Sequence, residues 1–195
     1  MMDLIHRTRR ALARLTHRED GNASVEFMVI MPLYMALLIM SLELSFITLR
    51  HTMLERGLDI AVRDIRLGTG KFTPTPGNDD DGTATQAYHD TIKKRICDEA
   101  YVINDCENNL KLEMIRSDMR NLTTLGGQVE CTDKEEEGAA TFNFTPGQQN
   151  DLMFLRACAK YDPIFPTWQL ARALEKDASG QIAIVSMSAF VMEPL

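Results

Sequence analysis

The sequence lacks the short motifs of the common catalytic sites. It contains no Gly-x-Ser-x-Gly, no His-Glu-x-x-His and no phosphate-binding loop. Its four histidines are scattered, so no nucleophile and base can be paired from the sequence; they are His6, His17, His51 and His89. We therefore expect no enzymatic activity and no cofactor.

Positive charge is also scarce. The chain has 21 Lys and Arg against 28 Asp and Glu, for a net charge of −7. The first 21 residues hold five arginines and three carboxylates, so residues 22–195 carry a net charge of −9. Nucleic-acid binding needs a basic face, and this balance argues against it. The 195 residues suit one folded domain besides any membrane segment.

One long stretch contains no basic residue at all. The 23 residues from Phe27 to Leu49 have a single carboxylate, Glu43. At about 1.5 Å per residue, a helix of this length crosses a hydrocarbon core of roughly 30 Å. The stretch also lacks the polar stripe of a helix on the surface of a soluble domain. We expect a single membrane-spanning helix.

The residues before this stretch predict its orientation. Basic side chains close to a membrane span are held on the cytoplasmic side. The arginines are Arg7, Arg9, Arg10, Arg14 and Arg18. The amino terminus is therefore expected inside the cell and the rest exported. A secretory signal peptide fits poorly, because the apolar segment is too long and no Ala-x-Ala pattern follows it.

The junction between leader and apolar run has a recognisable pattern. The basic leader ends at Gly21, four residues follow, and then come Glu26 and the aromatic Phe27. This arrangement resembles the processing site of type IV prepilins. The resemblance implies that a prepilin peptidase cuts between Gly21 and Asn22, leaving Glu26 as the fifth residue of the mature chain. The alternative is an uncut, solvated cytoplasmic tail.

Further matches extend this resemblance to both ends of the chain. They are the ending GNASVEF, Pro32 early in the span, Glu43 near its far end, the stretch IRLGTG after the helix, and the closing Glu193-Pro194-Leu195. On these residues the chain resembles the TadE-like proteins, minor pilin-like subunits (pseudopilins) of the tight adherence (Tad or Flp) pilus system. Met and Ser replace part of the Leu-rich span expected from this family, and His51 follows Arg50 where a small or polar residue is expected.

The two carboxylates of the predicted span each allow two interpretations. Glu26 is either an interfacial residue favoured by the helix dipole or, as the prepilin resemblance implies, the partner of the amino group of Asn22 on a neighbouring subunit. Glu43 is either an interfacial residue, which we favour, or a buried carboxylate with a partner. Pro32 removes one backbone hydrogen bond, so we expect a kink or a loosened helix there.

Beyond the apolar run, the helix is predicted to continue as a stalk. Apolar residues recur at i, i+4, i+7 and i+11 and so share one face. They are Leu54, Leu58, Ala61 and Ile65. Gly68 and Gly70 are expected to end the helix. The next residues include prolines, glycines and Asp79-Asp80-Asp81, typical of a flexible linker, and they lack the register of a calcium loop.

The rest of the chain predicts a small exported head. A second helix is expected from about Ala84 to Cys97, with Tyr88, Ile92 and Ile96 on one side. Alternating apolar runs predict strands at 110–114, 127–132, 141–145, 152–161 and 181–192. Pro146-Gly147 predicts a hairpin between 141–145 and 152–161, and Pro166 the entry to a short helix.

These elements give an α+β fold class. We expect a long amino-terminal membrane helix that continues into a periplasmic stalk, followed by a small antiparallel sheet head with one or two helices, which is a pilin-like order. The predicted segments are a leader at 1–21, the membrane helix and stalk at 22–67, a linker at 68–83 and the head at 84–195.

All four cysteines lie in the predicted exported part. An oxidising periplasm favours disulfides, and four cysteines allow three pairings. We expect Cys97 to pair with Cys106, closing a short loop, and Cys131 to pair with Cys158, joining two predicted strands. A metal site is not expected, because zinc sites commonly use a Cys-x2-Cys spacing that is absent here.

Two classes of function remain open from the sequence. The first is a pilin-like subunit of the inner membrane, with its head in the periplasm, that takes part in pilus assembly and adhesion. It either is extracted into the extracellular pilus or assembles with other minor subunits in the membrane, and the sequence leaves both open. Its partners would be other minor pilin-like subunits, the assembly machinery and the prepilin peptidase. The second is an uncleaved periplasmic binding or enzymatic domain that uses the helix only as an anchor.

Overall fold

The computed structural model describes residues 22–68, 72, 83–118, 131, 144–167, 169–176 and 179–194. Within these residues the chain forms four helices and three strands. They are α1 (Asn22–Arg66), α2 (Thr83–Glu99), α3 (Cys106–Asn109), β1 (Leu110–Ser117), β2 (Leu152–Tyr161), α4 (Gln169–Ala173) and β3 (Ile182–Val191). The chain divides into two compact units, Met1–Leu42 and Glu43–Leu195.

The first half of α1 is apolar and exposed. An 18-residue window of this helix has a mean hydropathy of 2.1, and the helix is long and apolar enough to cross a membrane. Its exposed side chains include Leu33, Leu37 and Leu44. The helix also continues through Pro32 without ending. Membrane helices tolerate an internal proline, because neighbouring groups satisfy the freed backbone carbonyl.

The second half of α1 carries the predicted apolar stripe. Its four residues are at most 1% exposed and belong to the buried core that the described residues of the head form. The helix ends at Arg66, and Gly68 follows in the left-handed region with φ 54°. Glycine adopts this conformation at no steric cost, so the predicted helix end is confirmed.

Helix α2 buries the side that the sequence predicts. Tyr88 is 7% exposed, and Ile92 and Ile96 are fully buried. Arg95 ties this helix to α1, since its Nε donates to Asp64 Oδ2 at 2.8 Å. The predicted linker before α2, including the aspartate run, lies outside the described residues apart from Gly68, Phe72 and Thr83.

The three strands form one antiparallel sheet in the order β1-β2-β3. Leu112 of β1 lies opposite Ala157 of β2, which lies opposite Ser186 of β3. Successive side chains of a strand point to opposite faces of a sheet. Leu110, Leu112 and Met114 therefore share one face, and all three are buried in the same core as the α1 stripe.

The predicted hairpin at Pro146-Gly147 is wrong. Strand β2 pairs with β1 along one edge and with β3 along the other, so both of its edges are occupied. Phe144 instead makes a parallel bridge with Met114 of β1, where the Thr145 N–H donates to the Met114 carbonyl at 2.9 Å. The predicted strand at 127–132 lies outside the described residues except for Cys131.

The predicted disulfides, the short helix after Pro166 and the final strand agree with the structure. Cys97 is bonded to Cys106 and Cys131 to Cys158, the pairing expected from the sequence. The short helix predicted after Pro166 is α4, and the final strand is β3. Gly180 precedes β3 with φ 83°, a conformation that favours glycine in the turn.

Candidate functional site

The predicted processing site lies at the beginning of α1. Asn22 is the first helical residue, whereas Gly21 lies outside the described residues. Glu26 and Phe27 follow in the first two turns, and both side chains are exposed. No hydrogen bond or ion pair joins Glu26 to another residue in the part of the chain that the structure describes.

Glu43 is buried, in contrast to the favoured interfacial interpretation. Its side chain is only 2% exposed. Its two carboxylate oxygens accept hydrogen bonds from the backbone N–H groups of Ile164 and Phe165, each at 3.2 Å. The structure thus favours the second interpretation, in which Glu43 is a buried carboxylate with partners. The partners are backbone groups of the segment that follows β2.

Arg50 packs on the last residue of β2. Its guanidinium carbon lies 4.5 Å from the ring centroid of Tyr161, a cation–π arrangement. Arg50 is 8% exposed and Tyr161 is 5% exposed. The contact is therefore shielded from solvent, where a cation–π interaction is stronger than on a surface. Within the described residues, Arg50 Nη1 and Tyr161 Oη have no hydrogen-bond partner.

The surroundings of Tyr161 raise the pKa of its phenol. Burial is the largest cause that raises the pKa of Tyr161, and the negative charge of Glu43 adds to the rise. The positive charge of Arg50 opposes it. A neutral phenol offers its ring face to the Arg50 cation without forming an ion pair. The interaction between the two residues is consequently a stacking contact.

Glu43, Arg50, Tyr161, Ile164 and Phe165 together form what we call the helix–loop site. A spacing of seven residues is almost two helical turns, so Glu43 and Arg50 lie on one face of α1. Arg50 and Leu54 are four residues apart, so this face continues into the buried stripe of the stalk. Extending that stripe backwards along the sequence would have indicated that Glu43 faces the head. Nothing local in the sequence identifies its partners, which lie more than 120 residues away.

Other parts of the described surface offer little chemistry. No group of three or more His, Cys, Asp or Glu side chains is placed to hold a metal within the described residues. One surface cleft is lined by Arg63, Arg66, Leu67 and Glu193, and an Arg66–Glu193 ion pair of 3.0 Å lies beside it. A second cleft borders the Cys97–Cys106 disulfide.

Comparison with protein-family models, with curated proteins and with solved structures gives no match to this chain.

Proposed function

We propose that this protein is a pilin-like subunit of a tight adherence (Tad or Flp) pilus system, of the TadE-like type, that acts in pilus assembly and adhesion. The main supporting observation is the continuous helix α1. Its first half is apolar and exposed, and one face of its second half is buried in an α+β head. A subunit that is held in a membrane and then joins a helical assembly needs these two parts in one helix.

The orientation follows from the charge of the leader. Five arginines precede the apolar run, so the amino terminus is cytoplasmic and the head is periplasmic in a bacterial inner membrane. The two disulfides of the head suit an oxidising compartment. The subunit is inserted once through the membrane and is later available for incorporation into the extracellular pilus.

Glu26 has the chemistry needed for contact between subunits. After cleavage at Gly21, Asn22 carries a free amino group, and Glu26 lies one turn further along α1. A carboxylate near lipid is costly unless it finds a partner. The amino group of Asn22 on a neighbouring subunit neutralises it, so the pair favours association over the isolated chain. The partners are other minor pilin-like subunits and the pilus assembly machinery.

Processing at Gly21 tests this proposal. The protein is purified from cells that have an intact pilus system and from cells that lack the prepilin peptidase, and its amino terminus is sequenced. We expect the protein from cells with an intact pilus system to begin at Asn22. We expect the protein from cells without the peptidase to keep its leader and begin at Met1 or Met2. Gly21→Leu should leave the longer precursor, whereas the control Asn22→Ala should be cut.

One outcome contradicts the proposal directly. If the wild-type chain from cells with an intact system still begins at Met1 or Met2, it is not a processed pilin-like subunit. An uncut chain would instead favour a periplasmic domain that uses α1 only as an anchor.

A further inference from the structure

The segment that follows β2 runs alongside α1 from Arg50 to Glu43. We call residues 162–167 the membrane-proximal loop. At its start, Tyr161 contacts Arg50; further along, the N–H groups of Ile164 and Phe165 bind Glu43. Seven helical residues separate Arg50 from Glu43, about 10 Å along the axis. The loop therefore extends by this distance along the axis of α1, from Arg50 toward the apolar run.

The level that the loop reaches lies within the apolar run. This run ends at Leu49, so Glu43 is six residues, or about 9 Å, inside it. Between these positions α1 still exposes apolar side chains, with Leu44 at 53% and Phe46 at 39%. If α1 spans the membrane, the lipids that surround Leu44 and Phe46 also reach the level at which the loop is bound.

The composition of the loop suits the boundary between lipid and water. It contains two prolines, one carboxylate and no basic residue, and Ile164 exposes 42% of its surface. An exposed isoleucine at this level gains by contact with lipid chains. Glu43 would be costly in lipid as an unpaired carboxylate, and its two backbone donors remove part of that cost.

We propose that the membrane-proximal loop inserts into the outer-leaflet interface of the membrane that α1 spans. Ile164 makes the contact with lipid, and Glu43 holds the loop at that depth. The head is then attached to the bilayer at a second point besides the helix. This inference rests on the proposed membrane anchoring and adds a lipid-binding surface on the head.

Depth-dependent quenching of tryptophan fluorescence tests this contact. Trp168 is the single tryptophan of the sequence, so Trp168→Phe gives a background without fluorescence from tryptophan. In this background the full chain is reconstituted into phosphatidylcholine and phosphatidylglycerol vesicles that contain brominated lipids. Three variants are compared: Ile164→Trp in the loop, Met187→Trp on β3 and Leu37→Trp in the apolar half of α1. Met187 is the matched control, because it is an apolar head residue with 60% exposure.

The proposal expects quenching of Ile164→Trp and no quenching of Met187→Trp. Bromines near the headgroup end of the acyl chain should quench Ile164→Trp more strongly than bromines near the bilayer centre. Adding Glu43→Ala should reduce this quenching to the level of Met187→Trp. Quenching that persists in Glu43→Ala would overturn the assigned role of Glu43.

The Leu37→Trp variant separates this inference from the membrane anchoring. If Leu37→Trp is quenched and Ile164→Trp is not, α1 is in the membrane and the loop is not, so the inference fails alone. Contact of the loop with a second subunit would give this same result. If Leu37→Trp is not quenched, the anchoring and with it the proposed function fail.

Discussion

Arg156 of β2 and Glu113 of β1 lie directly opposite each other in the sheet and form a buried ion pair. Arg156 Nε donates to Glu113 Oε2 at 2.7 Å, and Arg156 Nη2 contacts the same oxygen. The two residues are 7% and 5% exposed. Removing one partner leaves the other charge buried without its counter-ion, whereas removing both leaves no such charge.

This relationship predicts a non-additive response to substitution. Arg156→Met should lower the free energy of unfolding by about 3–5 kcal/mol, and the double variant Glu113→Leu/Arg156→Met should lower it by less. Denaturant unfolding of the full chain in detergent measures both. The control is Arg116→Ala, which removes an exposed ion pair with Asp151 and should cost at most about 1 kcal/mol. A double variant at least as unstable as Arg156→Met alone would contradict the coupling.

Helices α1 and α2 approach closely at Gly57. A Cβ added there would lie 2.7 Å from the carbonyl oxygen of Ile96, a distance that forces the backbone of α2 to move. Gly57→Ala should therefore destabilise the head by about 1–3 kcal/mol, although alanine is the better helix former. Thermal unfolding measures the effect. Asp59→Ala, on the exposed side of the same helix, should change stability by no more than about 0.5 kcal/mol; equal effects of the two variants would refute the close approach.

His89 predicts a dependence of stability on pH. Its ring is buried at 7% exposure and packs edge-on against the Phe144 ring at 5.1 Å. Burial is the main cause that lowers the pKa of His89, and the charge of Lys93 also lowers it, against the opposing hydrogen bond to Asp90. The unfolded chain, with an ordinary pKa of about 6.5, therefore binds the proton more tightly than the folded chain.

Neutral His89 contributes its full stability at a pH above the pKa that His89 has in the unfolded chain. This stability is lost as the pH falls toward the lower pKa that His89 has in the folded chain. We expect the melting temperature of the wild type to fall between about pH 7 and pH 5.5, and this fall to be smaller in His89→Gln. His51→Gln is the control, since the His51 side chain is 40% exposed. The same pH response in the wild type and in His89→Gln would show that another group is responsible.

Short-range patterns in the sequence were sufficient for the buried face and the end of α1, although they did not predict the short helix α3. The recurrence of Leu54, Leu58, Ala61 and Ile65 predicts the buried face of α1, because helical periodicity alone decides which side chains share a face. Gly68 likewise marks the end of the helix through its own backbone preference. Both properties belong to neighbouring residues and need no knowledge of the rest of the chain.

Long-range pairing could not be predicted in the same way. Pro146-Gly147 correctly signals a break in the chain, but a turn signal does not say which strands pair, and β1 reaches β2 across a connection of 34 residues. In the candidate site, the contacts of Glu43 could not be predicted from the sequence for a similar reason. Its donors at Ile164 and Phe165 are backbone groups, which any residue type provides, so no side-chain pattern identifies them.

Glu26 is expected to act in assembly and to leave the head unchanged. It belongs to the unit Met1–Leu42, whereas the core of the head belongs to Glu43–Leu195. Glu26→Ala and Glu26→Gln should therefore be processed and inserted, with an unchanged melting temperature of the head. Both should fail to enter the pilus or its initiating complex, because neither side chain can form an ion pair with the amino group of Asn22 on a neighbour.

Piliation and pull-down of partner subunits measure this loss, and Ser24→Ala, an exposed position in the same part of α1, serves as the control. Normal piliation with Glu26→Ala or Glu26→Gln would reduce Glu26 to an interfacial residue, whose charge is favoured only by the dipole of the helix.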